Sequence, residues 1–371
     1  MVESAWQRSP QARALVARQD EAAAERDLAD SWLAAPPVLG LSQRNDRWTD
    51  DRGRRESEVA LSSTIWTPGQ KTRRVRYAKH YAIELDAQLE QTRLLVAGQV
   101  RARFWEAAAA QEALLEKDDH LQHLQELAGD VERRVKAGDL PRSDALLARQ
   151  EVLVAQSAAI MARGNAKAAL AGVTLLTGLS ALPPAVPEPS AAMDMPVPVR
   201  LHAAEAAEQR ARSAIAAASA QSSAAPTIAV SMRRERDGVS GPNDRSIGIA
   251  LQIPLVGSQR NRPLEKAAAT QLAAASAELV QTRAEVEAAV GLAQSRLRDA
   301  EQALDLAEQR VAAAHEHTRL FEKAFALGES PLSDLLRSRT QSHEAGLAVR
   351  QQRIALGQAR AELNQALGII P

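Results

Sequence analysis

The chain contains no cysteine. That excludes disulfide staples, thiol catalysis, cysteine-based zinc sites and a lipidated cysteine among these residues. Aromatic residues are scarce too, at 3% against 45% hydrophobic residues overall, so the usual space-fillers of a globular core are missing. Alanine takes their place, in runs such as Ala107 to Ala110. It is the strongest helix former and lets helices approach closely, which predicts long, thin, tightly packed helices. Neither sign of charge is in excess: basic and acidic residues number 46 each in 371. Wholesale binding to nucleic acid is therefore not expected. No uninterrupted apolar run reaches the roughly 18 residues of a transmembrane helix. The start, Met1 to Trp6, also lacks the basic and apolar stretches of a signal peptide. There is no glycine-rich phosphate loop, nucleophile motif or zinc-type His–Glu pair, so the expected protein is not an enzyme and uses no cofactor or metal.

What is present is a duplication. Ala137-Gly138-Asp139-Leu140-Pro141-Arg142-Ser143-Asp144 and Leu327-Gly328-Glu329-Ser330-Pro331-Leu332-Ser333-Asp334 share glycine, acid, proline, serine and aspartate at the same spacing, with Gly138 and Gly328 190 positions apart. Glycine suits a helix C-cap, and the Ser and Asp after proline suit the N-cap of a following helix, so each segment reads as a helix–turn–helix tip. Leu114, Leu121, Leu124, Ala128, Val131 and Val135 precede the first tip with a heptad-like spacing, and Leu304, Val311, Ala314, Thr318, Phe321 and Phe325 repeat it at the same offset.

Two pairs of strands come before these helices. Ile247, Ile249, Leu251, Ile253 and Leu255 alternate with smaller or polar residues, as do Val59, Leu61, Ser63 and Ile65, a period of two. Partner strands are expected at about Pro37–Arg44 and Pro226–Arg234, with charged loops over Asn45–Glu56 and Glu235–Arg245. The second strand of each pair should end in a corner into the next helix, at Pro68-Gly69 and at Pro254 to Gly257. Strands of about 9–11 residues with one apolar face fit a membrane β-barrel. Four strands cannot close one, and open edges in lipid are prohibitive, so the chain should associate with copies of itself. The helix expected over Lys71–Lys136 would span on the order of 100 Å. The domain reading is thus a repeat over 1–178 (strands about 37–44 and 58–66), a proline-rich linker over 179–199, and a repeat over 200–371 (strands about 226–234 and 246–255).

The strand pairs, the corners and the tip wording Arg-Val-Lys-Ala-Gly-Asp-Leu-Pro-Arg-Ser-Asp at Arg134–Asp144 resemble the TolC family of outer-membrane efflux proteins, particularly its heavy-metal and drug-efflux outer-membrane factors of CzcC-like type. The resemblance implies a mainly α fold with a small β part: duplicated coiled-coil hairpins, with four membrane strands contributed to a trimeric 12-stranded barrel. It implies an outer-membrane location with a long periplasmic portion, and a signal peptide lost to a trimmed or misannotated start. The implied partners are two further copies, outer-membrane lipid, a periplasmic adaptor protein and an inner-membrane pump of RND type. It also implies a periplasmic gate at Asp334, with Asp144 its counterpart in the first tip. Where the family places a second acid, this chain has Arg337, which puts a double-acid ring in doubt.

Each candidate has a plainer reading. Asp144 and Asp334 suit the first turn of any helix through its dipole. The tips Gly138, Leu140, Pro141, Ser143, Gly328, Pro331, Leu332 and Ser333 are turns, but exposed apolar Leu140, Pro141, Pro331 and Leu332 favour adaptor docking. His120, His123, His315 and His317 read as a solvated helix face. Trp48 and Trp66 suit either interfacial anchoring or packing, and Arg73, Arg74, Arg260 and Arg262 either a headgroup boundary or solvent. The corners are Pro68, Gly69, Pro254 and Gly257. A type I secretion duct, a periplasmic adaptor and a coiled-coil scaffold are the competing functions. An adaptor carries one hairpin flanked by compact β-domains, and a scaffold leaves the alternating strands unexplained.

Overall fold

The computed structural model describes residues 1–189, 197–221, 225–254, 259 and 261–371. The expected residues Leu255, Gly257 and Arg260, and residues 190–196 of the expected linker, lie outside the described set. The elements run α1 (Val2–Arg8), α2 (Pro10–Asp30), β1 (Val38–Asn45), β2 (Arg55–Thr64), α3 (Gln70–Ala137), α4 (Arg142–Thr177), α5 (Val199–Ala220), β3 (Thr227–Arg236), β4 (Asn243–Gln252), α6 (Arg262–Ala326) and α7 (Leu332–Ala366). Among the described residues no helix is long and apolar enough to cross a membrane.

The chain forms two compact units. One comprises Met1–Arg13, Glu90–Arg200 and Ala284–Pro371; the other comprises Ala14–Leu89 and Leu201–Arg283. The second holds one antiparallel sheet in the order β1-β2-β3-β4. Its strands run further into the charged segments than their alternation predicts, with β2 starting at Arg55 and β3 reaching Arg236. Cross-strand charge pairing carries the ladder past the apolar rows. Glu56 lies 4.0 Å from Arg44 of β1 and also contacts Arg233 of β3.

In the first unit the two heptad stripes face inward, as their spacing predicts: all twelve side chains are buried or half-buried. A cluster of Leu124, Leu127, Val131, Ala148, Ala155, Leu332 and Leu336 joins α3, α4 and α7. The proline-rich segment is tied to the same unit. The Arg101 guanidinium, itself buried, grips the Glu188 carboxylate through two hydrogen bonds of 2.8 and 2.7 Å, and Asn364 donates a third of 2.9 Å. Burial alone would raise the Glu188 pKa, but these donors hold it below the usual carboxylate value; bidentate guanidinium pairing favours the charged form.

Small residues let α3 and α7 meet closely. Trp105 is buried against Ala108 and Ala361, and a Cβ at Gly357 would sit 2.6 Å from its Cζ3 atom. A rigid indole cannot retreat as a flexible chain would. Gly357→Ala is therefore expected to destabilise the protein by about 1–3 kcal/mol despite alanine's better helix propensity. Thermal or denaturant unfolding checks this; a rise in stability would mean that the helices part freely at this point.

Candidate functional site

The two tips are built from identical backbone hydrogen bonds. At the first, Asp139 N–H donates to Arg134 O at 2.9 Å and Gly138 N–H to Val135 O at 3.1 Å. At the second, Glu329 donates to Ala324 O at 2.8 Å and Gly328 to Phe325 O at 3.1 Å. This is the Schellman arrangement, which needs a left-handed residue after the helix; Gly138 and Gly328 supply it with φ of 89° and 76°. The expected N-caps are displaced. Pro141 and Pro331 occupy the cap positions in extended conformation, so Ser143, Asp144, Ser333 and Asp334 fall inside the first turn. Proline fits there because its missing N–H is not needed at a helix start. Asp144 and Asp334 N–H groups close the turn onto Pro141 O and Pro331 O at 3.1 and 3.2 Å.

Side-chain exposure differs from expectation at the tips. Leu332 is only 3% exposed and packs in the α3–α4 cluster beside half-buried Leu140. Each leucine finds its cover in the neighbouring tip, which sequence alone could not place beside it. Arg134 also lies over the Phe325 ring at 5.3 Å. What remains exposed is Gly138, Pro141, Ser143, Gly328, Pro331, Ser333 and Arg337, joined by Leu146 and Leu327. Asp144 and Asp334 are half-buried.

Of the four histidines expected on a solvated face, His123, His315 and His317 are exposed, whereas His120 is half-buried. His120, His123 and His315 converge with His343 on a cleft of about 380 Å³ between α3, α6 and α7. His120 stacks on His343 with ring centroids 3.9 Å apart, and His343 Nε2 contacts the buried Glu116 carboxylate. Arg350 lies 3.8 Å from Glu112 and 3.6 Å from Asp119. His315 and His317 bond Ser342 and Ser338 of α7 at 3.1 and 3.0 Å. Among the described residues no group of His, Asp and Glu is arranged to hold a metal ion.

In the other unit, the sheet has two chemically distinct faces, fixed by its register. One carries Leu41, Val59, Met232 and Ile247 in one cross-strand row and Leu39, Leu61, Val230 and Ile249 in the next. All eight are exposed, Ile247 at 78% and Leu41 at 74%. The opposite face carries Gly40, Ala60, Ser231 and Gly248, then Ser42, Glu58, Arg233 and Ser246. At the first corner Gly69 takes a φ of 78°, and the Thr67 N–H and hydroxyl both donate to Gln70 Oε1 at 3.1 and 3.0 Å. Pro254 is exposed at the second. Trp66 is packed, its indole N–H donating to Ser31 O at 3.0 Å, with Arg74 over the ring at 5.9 Å; Trp48 is exposed in its loop.

Residues 1–179 match the family model described as outer membrane efflux protein. No curated relative matches the chain. Among solved structures it resembles CusC, solved in a study of transmembrane channel formation (TM-score 0.79, 15% identity, covering 99% of this chain and 91% of that one). It resembles the outer membrane protein VceC of Vibrio cholerae (TM-score 0.76, 17% identity, 99% and 95%) and the outer membrane channel CmeC of Campylobacter jejuni (TM-score 0.75, 14% identity, 99% and 84%). At these identities the likeness establishes the fold, mainly α with a small β part, over nearly the full chain.

The histidine cluster has a consequence for stability. Burial, then the neighbouring His343 ring, pushes the His120 pKa down from 6.5 to about 4. Between those values the unfolded chain takes up a proton that the folded helices refuse. The contribution of neutral His120 is therefore intact above about pH 6.5 and lost as pH falls towards about 4. His120→Gln is expected to flatten the loss of thermal stability between neutral pH and about pH 5. Melting curves of the two proteins falling in parallel would show that acid sensitivity arises elsewhere.

Proposed function

We infer that this chain, with the outer membrane efflux protein signature over residues 1–179 and the fold of outer-membrane channels throughout, is the outer-membrane duct of a tripartite efflux system. The observation that carries the reading is the sheet. Two full rows of large apolar side chains lie exposed on one face, a patch that water would not tolerate and lipid would cover. Small and polar residues line the other face, as the wall of an aqueous lumen requires. The duct catalyses nothing: it offers a passive exit, and energy for transport is spent at an inner-membrane pump of RND type, reached through a periplasmic adaptor.

The edges β1 and β4 need partner strands, and three protomers supply twelve. The helices support the same association. Within one chain, Leu336, His343 and Arg350 of α7 face α3. Their counterparts 190 positions earlier, Leu146, Leu153 and Ile160 of α4, are apolar and exposed. The α3 positions Glu116, His123, Asp130 and Ala137 likewise correspond to Leu306, Ala313 and Leu320 of α6 and to Leu327 just beyond it, all exposed. If α4 meets α6 of the next copy as α7 meets α3 at home, both stripes are buried. This is a head-to-tail contact, the kind that closes a ring.

The exposed tip residues, with Leu146 and Leu327 beside them, form the adaptor-docking surface, and the gate lies at the second tip with Asp334 and Arg337. The tips are unequal: Leu332 and Leu336 bury themselves, whereas their counterparts Arg142 and Leu146 are exposed. The domain reading of two repeats joined by a proline-rich linker belongs to the same proposal.

Native protein should fractionate with the outer membrane as an oligomer; a soluble monomer would sink the reading. Leu153→Glu and Leu306→Glu should each dissociate the trimer, since each removes an apolar contact of about 1.5–3 kcal/mol at three equivalent interfaces. Mass photometry of detergent-solubilised protein reads the outcome. In planar bilayers, Asp334→Lys should change conductance more than Asp144→Lys, and equal changes would refute the gate's asymmetry.

A further inference from the structure

Charge is sorted between the two faces of the sheet. Beyond the apolar row of Leu41, Val59, Met232 and Ile247, the next two rows on the same face are Gln43, Ser57, Arg234, Arg245 and then Asn45, Arg55, Arg236, Asn243. Every charge there is an arginine. The carboxylates of the same strand segments, Glu56, Glu58, Glu235 and Asp244, all project from the other face, with Arg44 and Arg233 among them. Arg44 and Arg233 pair with Glu56. Among the described residues Arg55, Arg234, Arg236 and Arg245 pair with no carboxylate; Arg236 instead donates to the Val239 carbonyl.

The arrangement is costly as it stands. Arg55 sits directly opposite Arg236, and Arg234 directly opposite Arg245. Like charges in opposed cross-strand positions destabilise a sheet, and here two such pairs occupy adjacent rows. The acids that would relieve them are on the wrong side. An external anion can approach all four guanidinium groups from this face, and guanidinium binds phosphate oxygens through paired hydrogen bonds.

We propose that Arg55, Arg234, Arg236 and Arg245 form a lipid-facing girdle that binds phosphate groups on lipid headgroups. The proposal rests on the outer-membrane reading, which turns the apolar face towards lipid. The arginines begin one step past the last apolar row, about 6–7 Å along the strand, where the hydrocarbon ends and headgroups begin. They lie at the hairpin-loop ends of the strands, away from the ends that lead into α3 and α6, so the girdle serves the outer leaflet. Long arginine side chains reach up to that boundary while their stems stay against the acyl chains. The ligand is a phosphate-bearing anionic lipid held by the membrane, rather than free phosphate in the medium.

The test uses the full-length trimer in detergent, titrated with bisphosphorylated lipid A, the same glycolipid stripped of phosphate, phosphatidylcholine, or inorganic phosphate alone. Phosphorylated lipid A should raise the melting temperature and bind saturably; the other three should not. R55Q/R234Q/R236Q/R245Q should weaken that binding by on the order of tenfold or more, as should R234Q/R245Q to a lesser extent. R44Q/R233Q, altered on the lumen face, should leave it unchanged. Equal stabilisation by the phosphate-free glycolipid, or by inorganic phosphate, would overturn the girdle, and that comparison needs no variant. Failure of the wild-type chain to reach the outer membrane would instead overturn the duct reading.

Discussion

On the outer-membrane reading, everything about the sheet depends on one requirement: in hydrocarbon, each backbone N–H and C=O must find a partner within protein. The pairs β1–β2, β2–β3 and β3–β4 meet it over their full lengths, while the outer sides of β1 and β4 cannot. A soluble protein could leave such edges to water. On the proposed duct reading, the demand passes to another copy of the chain, and with it goes the geometry of the lumen. The apolar rows, the small residues behind them and the arginines beyond them are consequences of the same register.

The helical part solves a related problem by a different route. On the two-repeat reading there are two equivalent helix pairings, one made within the chain and one left exposed. The two differ in chemistry. Where α4 carries Leu153, α7 carries His343, and where α6 carries Leu306, α3 carries Glu116. At these positions the contact within the chain is polar, with a histidine stack and a buried carboxylate, whereas the corresponding free positions Leu153 and Leu306 are apolar. Polar contacts need fixed geometry and gain it from covalent connection. Apolar ones suit partners that must first find each other.

Much of the fold was legible in the sequence because local stereochemistry wrote it. Gly138 and Gly328 are required by a left-handed C-cap, and period-two alternation from Ile247 to Ile253 admits little except a strand. The strands extend beyond their expected ends because Arg55 to Ser57 and Glu235 to Arg236 look like loop by composition; their pairing is visible only once β2 and β3 are set side by side. The histidine cleft was missed for the same reason. His120 and His343 are more than two hundred positions apart, and a lone histidine on a charged helix carries no sign of its neighbour. One signal was available. The 190-residue offset sets His343 opposite Leu153 in the repeat comparison, an apolar-to-histidine exchange that marks a contact with a different partner. Leu332 likewise carries no sign of its burial, because a tip seen alone has nothing to bury against.

The β2–β3 ladder joins strands from the two halves of the sequence over ten matched residues, Arg55–Thr64 against Thr227–Arg236. Side chains alternate between faces, so a single-residue insertion within any strand would exchange the residues of the apolar and polar faces from that point on. Loops bear no such parity. Over evolutionary time, descendants of this gene should therefore vary freely in the length of the 46–54 and 237–242 connections, while indels inside the strands are purged. The reading frame of the sheet is inherited almost as strictly as that of the codons that specify it.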